Sequence, residues 1–154
     1  MSNNWHNIIE QFAQQKVLIV GDAMLDNYMW GNIHRQSPEA DVPVVHIEKH
    51  EKCLGGAANV AKNIASLGAT PILCSVIGDN DQGFFELMNK QGLCTKGVLQ
   101  ENRKTTFKTR VISNNKHQLR LDEEDLFPIQ SEQIFIENTI ALMEGISVII
   151  FQDY

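Results

Sequence analysis

Two adjacent glycines, Gly55 and Gly56, stand directly before a run of small residues, Ala57-Ala58-Asn59-Val60-Ala61, and no other stretch restricts the fold as tightly. Gly56 has no Cβ, so backbone amides beside it can come close to a ligand. The first turn of a helix leaves unpaired N–H donors and a partial positive charge, which suits a polar or anionic group. Ala57, Val60, Ala61, Ile64 and Leu67 recur at helical spacing and predict a buried stripe. The small side chains let that helix lie close to a sheet. Asn59, one turn in, can point its amide back toward the ligand end, and Gly68 is placed to end the helix. By itself, a glycine pair before a helix reads more simply as a tight strand-to-helix turn than as a ligand cradle.

The flanking segments supply the sheet. Lys16–Gly21 is a short continuous apolar run, as in a buried parallel strand, and it stops at Gly21-Asp22. Loops after the C-terminal ends of parallel strands are where open α/β sheets bind ligands, and the sequence places Asp22 and Asp26 in that loop. Asp22 either caps a turn or faces a ligand. Residues 71–77 and 146–151 predict two more buried strands. A leading helix over residues 3–14, with Trp5, Ile8, Ile9 and Phe12 on one face, is expected to pack on the domain. A helix carrying Phe84, Phe85 and Met88 is expected to be capped by Asp81 and stopped by Gly92. A last helix capped by Ser131 should bury Ile136, Ile140 and Met143 and end at Gly145. Asp79, Asp81 and Gly83 echo a calcium loop, but Lys90 stands where a bidentate Glu is required.

Two segments break the strand–helix alternation. Residues 27–52 are rich in aromatic, proline and β-branched residues and read as an antiparallel excursion from the main sheet. Pro38 and Pro43 demand at least one edge or bulged strand there. Residues 104–122 predict a hairpin turning at Asn114-Asn115. Phe107, Thr109, Val111, Leu119 and Leu121 fall on one face of it; Lys108, Arg110, Arg120 and Asp122 fall on the other. That basic face is either a solvated surface or an anion-binding wall over a cleft.

Composition removes several function classes. The 154 residues are one domain's worth, 43% apolar, with a net charge of −6, so no basic field exists to attract nucleic acid. Cys53, Cys74 and Cys94 form no CxxC pair, which suggests neither a zinc site nor a disulfide framework, and reduced thiols point to a cytoplasmic protein. His34, His46 and His50 share no metal-ligand spacing and read as surface residues. The N-terminus lacks the features of a signal peptide, and no apolar run approaches a membrane span. Gly21-Asp22 lacks the further glycines of a Rossmann turn.

Gly55-Gly56-Ala57-x-Asn59-x-Ala61 followed by Gly68 and Gly78 resembles the first signature of the PfkB (ribokinase-like) carbohydrate kinases. Within that family the chain is most similar to the D-glycero-β-D-manno-heptose-7-phosphate kinases. Residues 21–28, Ser37-Pro38-Glu39-Ala40, Val42-Pro43-Val44-Val45 and Gln118-Leu119-Arg120-Leu121-Asp122 carry that likeness; Asp41 departs from it, where a small apolar residue is expected. The resemblance implies a doubly wound, mostly parallel α/β sheet with an inserted β-sheet lid at about 27–52 and 104–122, in the N-terminal part of a ribokinase-like fold. It implies that Asp26 and Asn59 hold sugar hydroxyls, that Gly55 and Gly56 let the sugar lie against the backbone, and that Lys108, Arg110 and Arg120 serve a phosphorylated substrate. It further implies ATP and Mg2+ as cofactors of the complete enzyme, none of them tightly bound to this chain, and a homodimer formed through the lid. Family members continue for about as long again, into a half with a Gly-Ala-Gly-Asp anion hole, the catalytic base and most of the nucleotide site. Asp153-Tyr154 resembles the first two residues of a segment leading into that half. The expectation is therefore a fragment or a truncated reading frame, with no catalytic base of its own and inactive alone. Asp22 and Asp153 are expected as acids near the cleft. A non-catalytic sugar-binding or dimerisation module, or another sugar or nucleoside kinase, is the alternative.

Overall fold

The computed structural model describes residues 3–153, so Tyr154 lies outside the described residues. Strand β1 (Lys16–Gly21) pairs in parallel with β4 (Thr70–Asn80) on one side and β8 (Val148–Gln152) on the other; β5 (Cys94–Lys104) adds in parallel outside β4. The strand order β5-β4-β1-β8 places the most apolar run, with Leu18 and Ile19 fully buried, in the interior of the sheet. Helix α2 (Gly56–Ser66) lays Ala57, Ala58 and Ala61 on this sheet, in one cluster with Ile19, Leu73 and Ile77. Alanines permit that close approach. Along β4 the neighbouring positions turn the other way: Cys74 meets Thr139 of α4 (Glu132–Ala141), and Val76 shares a recess with Phe135 of α4. Helices therefore cover both faces of β4, as a doubly wound sheet requires.

The second sheet is the expected lid, in the order β3-β2-β6-β7. Strands β2 (Ala23–Gln36) and β3 (Pro43–Gly55) are antiparallel, with register shifts at Trp30/Gly31 and Ile33/Arg35, and β3, which begins at Pro43, is an edge strand as expected. Strands β6 (Phe107–Ser113) and β7 (Lys116–Glu123) form the hairpin. Asn114 and Asn115 turn it with φ of 51° and 57°, the left-handed pair that a two-residue hairpin loop favours. β6 joins β2 in parallel, closing excursion and hairpin into one sheet. β2 follows β1 after Asp22 alone, and its first amide, Ala23, donates to Ser75 Oγ at 3.0 Å, so the lid is rooted in the main sheet.

Several expectations need correction. β5 was not anticipated: Val98 and Leu99 are the only adjacent strong apolar residues in a largely polar strand. In α1 (Asn3–Phe12), Trp5 is 71% exposed and Ile9 57%, so the helix does not bury its apolar face. On α2, Ala58 is buried with Ala57 and Ala61, whereas Leu67, expected on the buried stripe, lies just past the helix end and is exposed. In α4, Ile136 and Ile140 are exposed, Thr139 is the buried residue, and Met143 lies beyond the helix end. Ser131 stands at the N-cap position but makes no capping bond; its hydroxyl donates to Glu101 Oε2 at 2.8 Å instead. β8 is an edge strand, with Val148, Ile149 and Phe151 exposed, not a third buried strand. Helix α3 (Phe84–Lys90) buries Phe84 and Met88 as expected, but Gly83 and not Asp81 holds its N-cap position; Asp81 accepts from Gly83 N and Phe85 N from the turn before it.

Candidate sugar site

The glycine pair is locked into the sheet from two directions. Gly55 ends β3 opposite Met24, and Gly56 opens α2 with a φ of +54°. A Cβ on Gly56 would lie 2.2 Å from the Asp22 carbonyl oxygen, and that oxygen accepts the Ala57 amide at 2.8 Å. The turn therefore needs glycine for its backbone angle and for its contact with the end of β1. One of the helix's first N–H donors is already satisfied by Asp22.

Asp26 lies on strand β2, opposite Cys53 and Lys108, and not in the loop where the sequence placed it. Its Oδ2 sits over the glycine turn: a Cβ on Gly55 would be 2.6 Å away. Its Oδ1 accepts a hydrogen bond from Arg110 Nη1. Asn59 is on the exposed side of α2's first turn. The structure thus brings Asp26, Gly55, Gly56 and the root of β2 together where the lid sheet meets α2.

The lid face above them is charged and aromatic. Alternation along the strands puts Asp26, Tyr28 and Trp30 of β2 on the face that also carries Lys108 and Arg110 of β6 and Arg120 and Asp122 of β7. Tyr28 and Trp30 stack, centroids 5.5 Å apart; Arg110 lies 5.4 Å over Tyr28, and Lys49 lies 4.5 Å over Trp30. Lys108 Nζ reaches Asp122 at 3.2 Å and Glu124 at 3.1 Å, and Arg120 reaches Asp122 at 3.0 Å. Three cations thus face three carboxylates, Asp26, Asp122 and Glu124, so the basic wall read from sequence is neutralised within its own sheet. Burial alone would lower the pKa of Lys108, but its bonds to Glu124 and Asp122 outweigh that and raise it. The same balance, with Asp26 as the partner, raises Arg110. Burial pushes Asp122 upward, yet Lys108 and Arg120 hold it below the ordinary carboxylate value.

Asp22 and Asp153 line one recess at the C-terminal ends of β1 and β8, together with Val20, Gly21, Phe151 and Gln152. Asp22 also borders a second recess with Met24, Thr106, Lys108, Glu124 and Asp125. Arg103 lines that recess too, and sequence reading missed it along with its strand. Its guanidinium donates to Glu101 Oε1 at 3.0 Å and to the Asp125 carbonyl at 2.9 Å, and lies 5.1 Å over Phe127. Glu101 in turn accepts from Gln130 N, Ser131 N and Ser131 Oγ. Burial pushes Glu101 up, but these hydrogen bonds, led by those from Ser131, hold it below its ordinary value of 4.5. The signal in sequence was Glu101-x-Arg103, a pair on one strand face.

Comparison with known proteins matches this architecture. A model described as the pfkB family carbohydrate kinases matches residues 14–151. The bifunctional protein HldE of Helicobacter pylori strain J99 is 41% identical over 148 residues, covering 91% of this chain and 31% of that protein. The bifunctional protein HldE of Campylobacter jejuni (serotype O:2) is 40% identical, covering 96% of this chain and 32% of that protein. The chain therefore spans about a third of the length of the curated relatives it matches. Among solved structures, a putative sugar kinase from Clostridium perfringens superposes with a TM-score of 0.64 at 16% identity, covering 88% of this chain and 42% of that one. The ribokinase of Cryptococcus neoformans gives a TM-score of 0.55 at 15% identity, over 89% of this chain and 40% of that one.

Proposed function

The chain belongs to the pfkB family of carbohydrate kinases, and from that premise we propose that it forms the acceptor-binding part of an ATP-dependent kinase acting on D-glycero-D-manno-heptose 7-phosphate at O1. The observation that carries this reading is the seat formed by Asp26 over the Gly55-Gly56 turn, beneath a lid. A carboxylate and an amide accept from and donate to vicinal hydroxyls, and a site built on such bonds rejects sugars that cannot satisfy it. Asp26 and Asn59 hold the hydroxyls, and the glycine turn lets the ring approach the backbone. Lys108 and Arg120 are the cations placed to exchange a carboxylate partner for the sugar phosphate. The lid excludes water, so the phosphoryl group passes to the sugar and not to solvent. The likeness to the two HldE proteins supports a sugar kinase; the heptose, a role in ADP-heptose and lipopolysaccharide core synthesis, and a place in the cytoplasm are part of this proposal.

ATP, with Mg2+, supplies the transferred phosphoryl group in the complete enzyme. Among the described residues no group of three or more His, Cys, Asp or Glu side chains could hold a metal ion, and Asp22 and Asp153 offer only two carboxylates in one recess. That pair does not fit a metal cage, so neither ion nor nucleotide is assigned to it. We assign no catalytic base to this chain.

A second reading has an observation of its own. The neutralised lid wall favours an uncharged acceptor, as in a kinase for a simple sugar or a nucleoside. ADP release by the full gene product, measured with heptose 7-phosphate, fructose 6-phosphate, ribose and inosine, separates the two. The proposed function predicts the highest kcat/KM with heptose 7-phosphate. Preference for ribose or inosine would replace it with the second reading.

A further inference from the structure

The lid face presents two cations at equal depth beside Asp26, and they behave differently. In the β2–β6 register Lys108 is the residue directly opposite Asp26, yet it turns away to Asp122 and Glu124. Arg110, opposite Tyr28, reaches back two residues along β2 to bond Asp26 Oδ1. Its guanidinium is held twice, by its edge on the carboxylate and by its face over Tyr28, which is itself stacked on Trp30. Arg110 and Asp26 are 20% and 18% exposed, so the pair is largely shielded from water. A planar guanidinium can bond a carboxylate while it rests on an aromatic ring, a directional hold that a lysine ammonium does not give. With Oδ1 committed to Arg110, Oδ2, packed against Gly55, is the oxygen left to accept a hydroxyl.

We infer that Arg110 is a positioning residue for Asp26: it fixes one carboxylate oxygen so that the other faces the glycine turn, and it thereby governs recognition of the sugar hydroxyls and not of a phosphate. Tyr28, stacked on Trp30, is the aromatic support on which that guanidinium rests. The inference rests on the proposed sugar site, and it assigns Arg110 a different role from its neighbours Lys108 and Arg120.

The test is calorimetric titration of the full gene product with heptose 7-phosphate and with the same heptose lacking the phosphate, together with deoxy analogues of the latter. Arg110→Ala, Arg110→Lys and Lys108→Ala are compared with wild type. Losing one bond to a charged group predicts roughly a tenfold or greater weakening by Arg110→Ala, equal for the two heptoses, so the wild-type preference for the phosphorylated sugar is unchanged. The deoxy analogue that loses most affinity in wild type should lose little in Arg110→Ala, because the oxygen it addresses is no longer fixed. Arg110→Lys keeps the charge without the planar guanidinium and should show the same flattened response to the deoxy series. Lys108→Ala should weaken only the phosphorylated heptose. A loss in Arg110→Ala confined to the phosphorylated heptose would overturn the inference and leave the sugar site standing. An undiminished response to the deoxy series in either Arg110 variant would overturn it too. Failure of wild type to bind either heptose would instead strike the proposed function.

Discussion

The carbonyl oxygen of Asp22 accepts the Ala57 amide at 2.8 Å, so the step from β1 to β2 and the first turn of α2 are joined by one backbone hydrogen bond beside the glycine pair. Any side chain on Gly56 would have to displace that carbonyl, and the residue would also sit at a φ of +54°. A left-handed residue with a Cβ costs about 1–2 kcal/mol before the clash is counted. Gly56→Ala is therefore predicted to lower stability by at least about 2 kcal/mol, a fall in Tm of roughly 4–8 °C for a domain of this size. Differential scanning calorimetry measures it. An unchanged Tm would mean that the turn is not anchored as described.

A pH dependence follows from Glu101. Its folded-state pKa lies below the ordinary 4.5, because hydrogen bonds from Ser131, Arg103 and Gln130 favour the carboxylate over the opposing effect of burial. A group depressed on folding contributes stability above its unfolded pKa and loses it as pH falls through the folded value. Glu101→Gln should therefore destabilise the protein at pH 7, by about 1–3 kcal/mol for bonds to a charged acceptor. The difference from wild type should shrink as pH drops below 4.5. Urea denaturation at pH 7 and pH 4 reads both points. A gap that widens on acidification would contradict the assignment.

The glycine signature, the lid excursion and the Asn114-Asn115 hairpin were legible because each rests on a local constraint: a missing Cβ, a proline, a left-handed turn. The strand that carries Asp26 was not legible, since Gly21-Asp22 looks like a loop and is in fact a single-residue step from β1 to β2. The pairing that defines the candidate site, Arg110 with Asp26, spans 84 residues and depends on a parallel β2–β6 register that no local pattern encodes. Exposed apolar residues on α1, α4 and β8 misled for a related reason. Helical or strand spacing shows that a face is apolar, and only tertiary packing decides whether it is covered.

The lid offers a surface for a second copy of the chain. β7 is an edge strand, and Leu119 and Leu121 on it are 54% and 50% exposed, on the face opposite Arg120. Such edges and faces are commonly paired or covered. We predict a homodimer of the full gene product built on this face. Leu121→Glu should shift it to monomer at micromolar concentration in light scattering; a wild type that is monomeric under the same conditions would refute the lid dimer.

Phosphoryl transfer needs a held acceptor, a base beside its hydroxyl and donors for the charge on the moving phosphate. The account gives residues 1–154 only the first. Purified residues 1–154 should therefore release no ADP above background with heptose 7-phosphate, while the longer gene product does. Comparable turnover from both would place the base in this chain, with Asp22 and Asp153 as the first acids to replace.

The most direct test of the central claim is the affinity of the full gene product for heptose 7-phosphate with and without the Asp26 carboxylate, measured by titration calorimetry. Asp26→Asn keeps the shape of the side chain over Gly55 and removes its charge. The account predicts binding weakened by at least about tenfold, the loss of a hydrogen bond to a charged group, with the fold intact by circular dichroism. Binding as tight as wild type would show that the Asp26 carboxylate does not hold the sugar.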